Sequence, residues 1–79
     1  MYDYNVSPTN SKAKFQQTCE LIEKEYPTCI KKEPLIDVDG SVIQTYTING
    51  KDIDVHNDYE IGAVYVKSEI KLNIQFKTI

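Results

Sequence analysis

The segment Asp52-Ile53-Asp54-Val55-His56-Asn57-Asp58-Tyr59-Glu60 concentrates the side chains of this chain best suited to chemistry. On an extended backbone alternate residues share a face, so Asp52, Asp54 and His56 point the same way, about 7 Å apart per step. Two carboxylates and an imidazole are competent ligands for a divalent cation. Ligands strung along one strand diverge, however, so a metal centre would have to recruit residues from other elements. The simpler reading is a solvated strand face that alternates with core residues Ile53 and Val55, with no metal and no cofactor. Continued through Asp58, Tyr59 and Glu60, that face becomes an acidic stripe with an aromatic anchor, a pattern suited to contact with another protein.

Other chemistries find less support. Asp37-Val38-Asp39-Gly40 has part of the spacing of a calcium loop, but Leu35 and Tyr46 stand where that loop needs carboxylates, so it reads as a turn. Nucleophilic catalysis needs a serine or cysteine beside a positioned base. The single histidine, His56, belongs to the expected exposed face, while Cys19 falls in a helix core stripe where a thiol is inert. No glycine-rich phosphate loop occurs, since Gly40, Gly50 and Gly62 all sit at turn or bulge positions. The chain is therefore expected not to be an enzyme.

The elements that must position the acidic stripe are legible in the hydrophobic pattern. Ser7-Pro8 opens a helix, with Asn10 or Ser11 as competing caps. Phe15, Cys19, Ile22 and Tyr26 recur at helical spacing, Leu21 widens the stripe, and Pro27 stops the helix, giving a helix over about 8–26. The residues before it, Tyr2 to Val6, form a short edge strand or an ordered arm. Beyond Pro34 the period changes to two. Leu35 to Val38 is a short strand closed by Asp39-Gly40, and Ser41 to Ile48 is a β-branched run. Asn49-Gly50 is a strong two-residue hairpin signal that pairs Ile48 with Lys51, Tyr46 with Ile53 and Gln44 with Val55. Ile61 to Val66 makes another strand, with Gly62 at a bulge. Ile70, Leu72, Ile74 and Phe76 alternate with Lys71, Asn73, Gln75 and Lys77 as a half-buried final strand. The expected fold is α+β, one domain over 1–79, with an N-terminal amphipathic helix on one face of a four- to five-stranded antiparallel meander.

Composition limits what such a domain could bind. With 79 residues there is material for one core. Nine lysines face twelve carboxylates, for a net charge of −3, and there is no arginine. Arginine is the usual reader of phosphate and guanine, so an acidic chain without it is not expected to bind nucleic acid directly. No basic, apolar leader begins the sequence and no apolar run approaches 18 residues, so a cytoplasmic protein without membrane contact is expected. In that compartment Cys19 and Cys29 read as reduced, small apolar residues. The abundance of lysine, isoleucine, asparagine and tyrosine is the composition common in small phage and mobile-element proteins.

These limits favour a small non-enzymatic binding protein of inhibitor, immunity or antitoxin type, or a phage-encoded anti-host factor. Asp52, Asp54, His56, Asp58, Tyr59 and Glu60 would cover a basic functional surface of a partner protein, such as a nuclease. The alternatives are a structural or assembly protein that forms homo-oligomers through the edge of its C-terminal strand, and a small-ligand or metal binder using Asp52, Asp54 and His56.

Overall fold

The computed structural model describes residues 1–76. Its element order is β1 (Tyr2–Ser7), α1 (Lys12–Glu25), β2 (Ile30–Lys31), β3 (Leu35–Ile36), β4 (Val42–Ile48), β5 (Lys51–Asp58) and β6 (Ala63–Ser68). All strands join one antiparallel sheet in the order β1-β6-β5-β4-β2, and β3 also pairs with β4. The α+β class is as the sequence implies. The chain begins at one edge, crosses the sheet through α1, and returns strand by strand from the other.

The central hairpin has the register set by Asn49-Gly50. Gln44 lies opposite Val55, Tyr46 opposite Ile53, and Ile48 opposite Lys51. Asn49 and Gly50 both take positive φ, 50° and 77°, which a two-residue turn matched to the strand twist requires. Gln44, Tyr46, Ile53 and Val55 are all buried, and α1 covers this face with Thr18, Cys19 and Ile22. The Tyr46 hydroxyl donates to Glu23 Oε2 at 2.5 Å, which provides its buried ring with a polar outlet.

Helix α1 starts later than Ser7-Pro8 suggests. Ser7 is still the last residue of β1, paired with Val64, and its hydroxyl donates to Thr9 O at 2.7 Å. The cap is Ser11, whose Oγ accepts from Lys14 N at 3.2 Å. Buried Asn57 fixes the same corner by accepting from Ser11 N through Oδ1. Leu21 does not widen the core stripe; it is exposed on the outer side of the helix. Cys19 is buried, Cys29 is half-buried, and both are free thiols.

β1 is a true strand on the outer edge of β6, and it carries the bulge. The register slips between Asn5 and Ser7, which lets Val6 and Ser7 both face inward. Gly62 lies instead in the turn before β6, with φ of 68°.

The largest departure is at the C-terminal end. Residues 70–76 keep the alternating burial of a strand, with Leu72 buried and Lys71, Asn73 and Gln75 exposed, but they join no ladder. The edge of β6 that such a strand would use is already occupied by β1. The segment lies against β1 and α1, where Leu72 N donates to the Tyr4 hydroxyl at 2.8 Å and Asn73 N to the Tyr26 hydroxyl at 3.2 Å. The Phe76 ring packs on Tyr4, with centroids 5.7 Å apart. The segment expected to offer an edge for self-pairing forms no strand over 70–76, and Lys77, Thr78 and Ile79 lie outside the described residues. Among the described residues no helix is long and apolar enough to cross a membrane.

Candidate functional site

The face of the sheet opposite α1 has no second layer among the described residues. β5 presents Asp52, Asp54, His56 and Asp58 there, because Ile53, Val55 and Asn57 take the alternate, buried positions. The neighbouring strands contribute Ile43, Thr45 and Thr47 from β4, and Ala63, Tyr65 and Lys67 from β6.

The acidic stripe expected on β5 is partly used up within the sheet. Asp52 Oδ1 accepts from Thr47 Oγ1 at 3.0 Å and lies 3.9 Å from Lys32 Nζ. Asp54 Oδ1 accepts from Thr45 Oγ1 at 2.7 Å, and Lys67 stands opposite it on β6. These two carboxylates are acceptors for cross-strand hydroxyls with a cation nearby, which lowers their outward field.

His56 is flanked by Ile43 on one side and Tyr65 on the other. Its ring stacks on Tyr65 with centroids 4.6 Å apart and planes 10° from parallel. Burial holds the imidazole below its ordinary pKa, Asp54 and Asp58 oppose that shift, and Lys67 adds to it. The Tyr65 hydroxyl donates to Asp58 Oδ2 at 3.0 Å, and burial followed by this carboxylate pushes its pKa up. Asp58 Oδ1 accepts from Glu60 N and Ile61 N, and the Ile61 bond leads in holding this carboxyl below its usual range. Asp58 is thus the keystone of the β5–β6 turn. Tyr59 and Glu60 ride on that turn and are exposed.

His56 faces an aromatic ring in place of a nucleophile, and Tyr65 is a poor acid. Cys19 is buried and its thiol pKa is raised by desolvation. Among the described residues no group of three or more His, Cys, Asp or Glu is placed to hold a metal ion, and Asp52, Asp54 and His56 do not converge.

What the structure does bring together is the far end of the sheet. β3 pairs with β4 and β4 with β5, so Leu35 lies beside Ile43 and Ile43 beside His56. Continuing the β4–β5 register two steps past Val42–Asn57 sets Gly40 opposite Tyr59. Tyr59 N donates to Ser41 Oγ at 2.9 Å, and a methyl group on Gly40 would stand 3.0 Å from the Tyr59 ring. The turns 37–40 and 58–62 are therefore neighbours. Between them opens a cleft of about 340 Å3, lined in part by Leu35, Ile36, Ile43 and His56. Asp37, Asp39, Asp58 and Glu60 stand around it, and its lining contains no lysine.

No protein-family model, curated protein or solved structure matches this chain. The cleft, the open sheet face and their charge therefore carry the functional reading.

Of the residues expected to form the site, His56, Asp58 and Glu60 line the cleft, and Tyr59 braces its wall. Asp52 and Asp54 lie further along β5. Sequence reasoning missed Asp37 and Asp39, taken with Gly40 for a turn, and Leu35 and Ile36, taken for part of a short strand. The latter are 66% and 71% exposed. The missing signal was in the spacing: Asp39-Gly40 and Asp58-Tyr59 are nearly equidistant from Asn49-Gly50 and so must meet at the same end of a hairpin.

Proposed function

We propose that this chain is a small acidic binding protein, without a catalytic step, that covers a basic functional surface of a partner protein. It would act in the manner of an inhibitor, an immunity protein, an antitoxin or a phage-encoded anti-host factor. One observation carries this reading: exposed apolar residues gather at one end of the sheet, and carboxylates stand among them. Leu35, Ile36 and Ile61 are each about two-thirds exposed and Val38 is fully exposed, a concentration of apolar surface at one end of a small chain. Asp37, Asp39, Asp58 and Glu60 would draw a basic partner to that surface and fix its orientation.

Affinity capture with the tagged protein at low and moderate salt tests the proposal, run beside a variant carrying Asp39→Asn and Glu60→Gln. Asparagine retains the side-chain oxygen that accepts from Ser41 N, so the variant should keep its fold. A stoichiometric basic protein held by the parent, and released both by salt and by the variant, is the expected result. Equal capture by parent and variant, or recovery of the protein alone, would defeat the reading.

Self-association through a sheet edge is the second reading. It would fall to β1, beyond whose outer side no strand lies in the sheet among the described residues. Light scattering separates the two, since only self-association gives a defined oligomer of the isolated chain.

A further inference from the structure

We infer that the cleft between the turns 37–40 and 58–62 seats a protein segment in which an arginine or lysine is flanked by aliphatic residues. This inference rests on the reading of the chain as a binder of a basic partner, and it names the part of the partner that is held.

The cleft is suited to a side chain that is apolar along its stem and cationic at its tip. Leu35 and Ile43, cross-strand neighbours in its lining, give such a stem a floor to lie on. Asp37, Asp39 and Glu60 stand where the cationic head would arrive. Asp37 Oδ1 is committed to Val38 N and Asp39 Oδ1 to Ser41 N, so both carboxylates are oriented before any partner binds. A carboxylate accepts more than one hydrogen bond, and a guanidinium fork matches it in a bidentate manner. The one lining residue that could carry positive charge, His56, is held toward its neutral form by burial. No cationic side chain in the lining therefore competes for the carboxylates.

The surroundings favour a macromolecule over a free amine. Val38 and Ile61 project from the two flanking turns, outside the cleft, and are exposed to water. A small cation would fill the cleft and leave both uncovered. A polypeptide would lay aliphatic neighbours across them, the arrangement of a buried anchor with an apolar surround.

The test is a titration of the 15N-labelled chain, at low salt, with a synthetic peptide alternating arginine and leucine. Its counterpart with glutamate for arginine is the control. The expected result is amide shift changes concentrated at 35–43 and 58–61 with the arginine peptide and none with the control. The Asp39→Asn, Glu60→Gln variant should bind roughly tenfold more weakly, as expected for the loss of two exposed charge contacts. Leu35→Ser should weaken binding several-fold while leaving the salt dependence unchanged. Shifts centred on Asp52 and Asp54 would overturn this seat while leaving the acidic-binder reading standing, and undiminished binding by the variant would overturn both. Absence of any binding by the arginine peptide would overturn both.

Discussion

His56 and Tyr65 occupy opposed positions on β5 and β6 and stack at 4.6 Å, and Tyr65 hands the contact on to Asp58 through its hydroxyl. The acidic turn 58–61 is thereby tied to an aromatic pair in the middle of the open face. His56, a possible ligand by its type beside Asp52 and Asp54, is in the folded chain part of a cross-strand brace with Tyr65 and Asp58.

The brace sets a pH dependence with a definite sign. His56 titrates below its usual 6.5 in the native state because burial disfavours the imidazolium. The unfolded chain then binds more protons just below that value, so this contribution is complete above about pH 6.5 and is lost as pH falls through the native pKa. Asp58, also held below its usual 3.8, loses its own contribution only at more acidic pH. Thermal melts should therefore show a first decline below pH 6.5 that is absent in His56→Gln. Proton NMR of His56 should titrate below 6.5, and a value above it would refute the assignment. At neutral pH His56→Ala should cost about 0.5–1.5 kcal/mol for the lost stacking.

Tyr46 is the largest fully buried side chain, and Glu23 receives its proton donor while pairing with Lys31 Nζ at 3.2 Å. Tyr46→Phe should cost about 1 kcal/mol, low for a hydrogen bond to a charged group because Glu23 faces water. The Tyr46 bond is the leading cause of the lowered Glu23 pKa, so that carboxyl should return toward its ordinary range in the variant. Urea denaturation and a carboxyl NMR titration read the two effects separately.

Leu72 should behave as a core residue even though it belongs to no strand. Leu72→Ala is expected to cost about 2–3 kcal/mol and Lys71→Ala less than about 0.5. Tyr4→Phe should accelerate amide exchange at Leu72, and Tyr26→Phe at Asn73, since each hydroxyl accepts from that amide. Exchange unaffected by either substitution would mean that the segment is held in some other way.

Gly40 and Gly50 provide a matched pair. Both have φ in the left-handed region, at 91° and 77°, so alanine at either position carries a backbone penalty of about 1–2 kcal/mol. Only at Gly40 does the added methyl meet the Tyr59 ring, at 3.0 Å, whereas Gly50 has open space. Gly40→Ala should therefore be the more destabilising and should displace the Tyr59 ring, seen as shifts of its aromatic protons. Equal costs would mean that the Tyr59 ring yields freely.

The amino-acid pattern alone determined the central hairpin, because Asn49-Gly50 admits one register and that register places every apolar residue of β4 and β5 on a consistent face. It also determined α1 as an amphipathic helix, through Phe15, Cys19, Ile22 and Tyr26. Even the meeting of Gly40 with Tyr59 was implicit in that register, although Asp37 and Asp39 could be recognised as rim residues only once β3 was known to pair with β4. What tertiary structure alone decided is which edges were vacant. Alternation from Ile70 to Phe76 reports that one side of the backbone is buried, which a ladder or a packed extended segment satisfies equally well. β1, placed before the helix in the chain, had already taken the edge of β6, so the segment buries its side chains against β1 and α1 without a ladder. The same principle governs Leu35 and Ile36. Their apolar character fits a buried strand, but α1 extends over β5 and β1 and leaves this corner to water. Local pattern encodes a preference for burial, and only the complete arrangement of elements determines where burial is available.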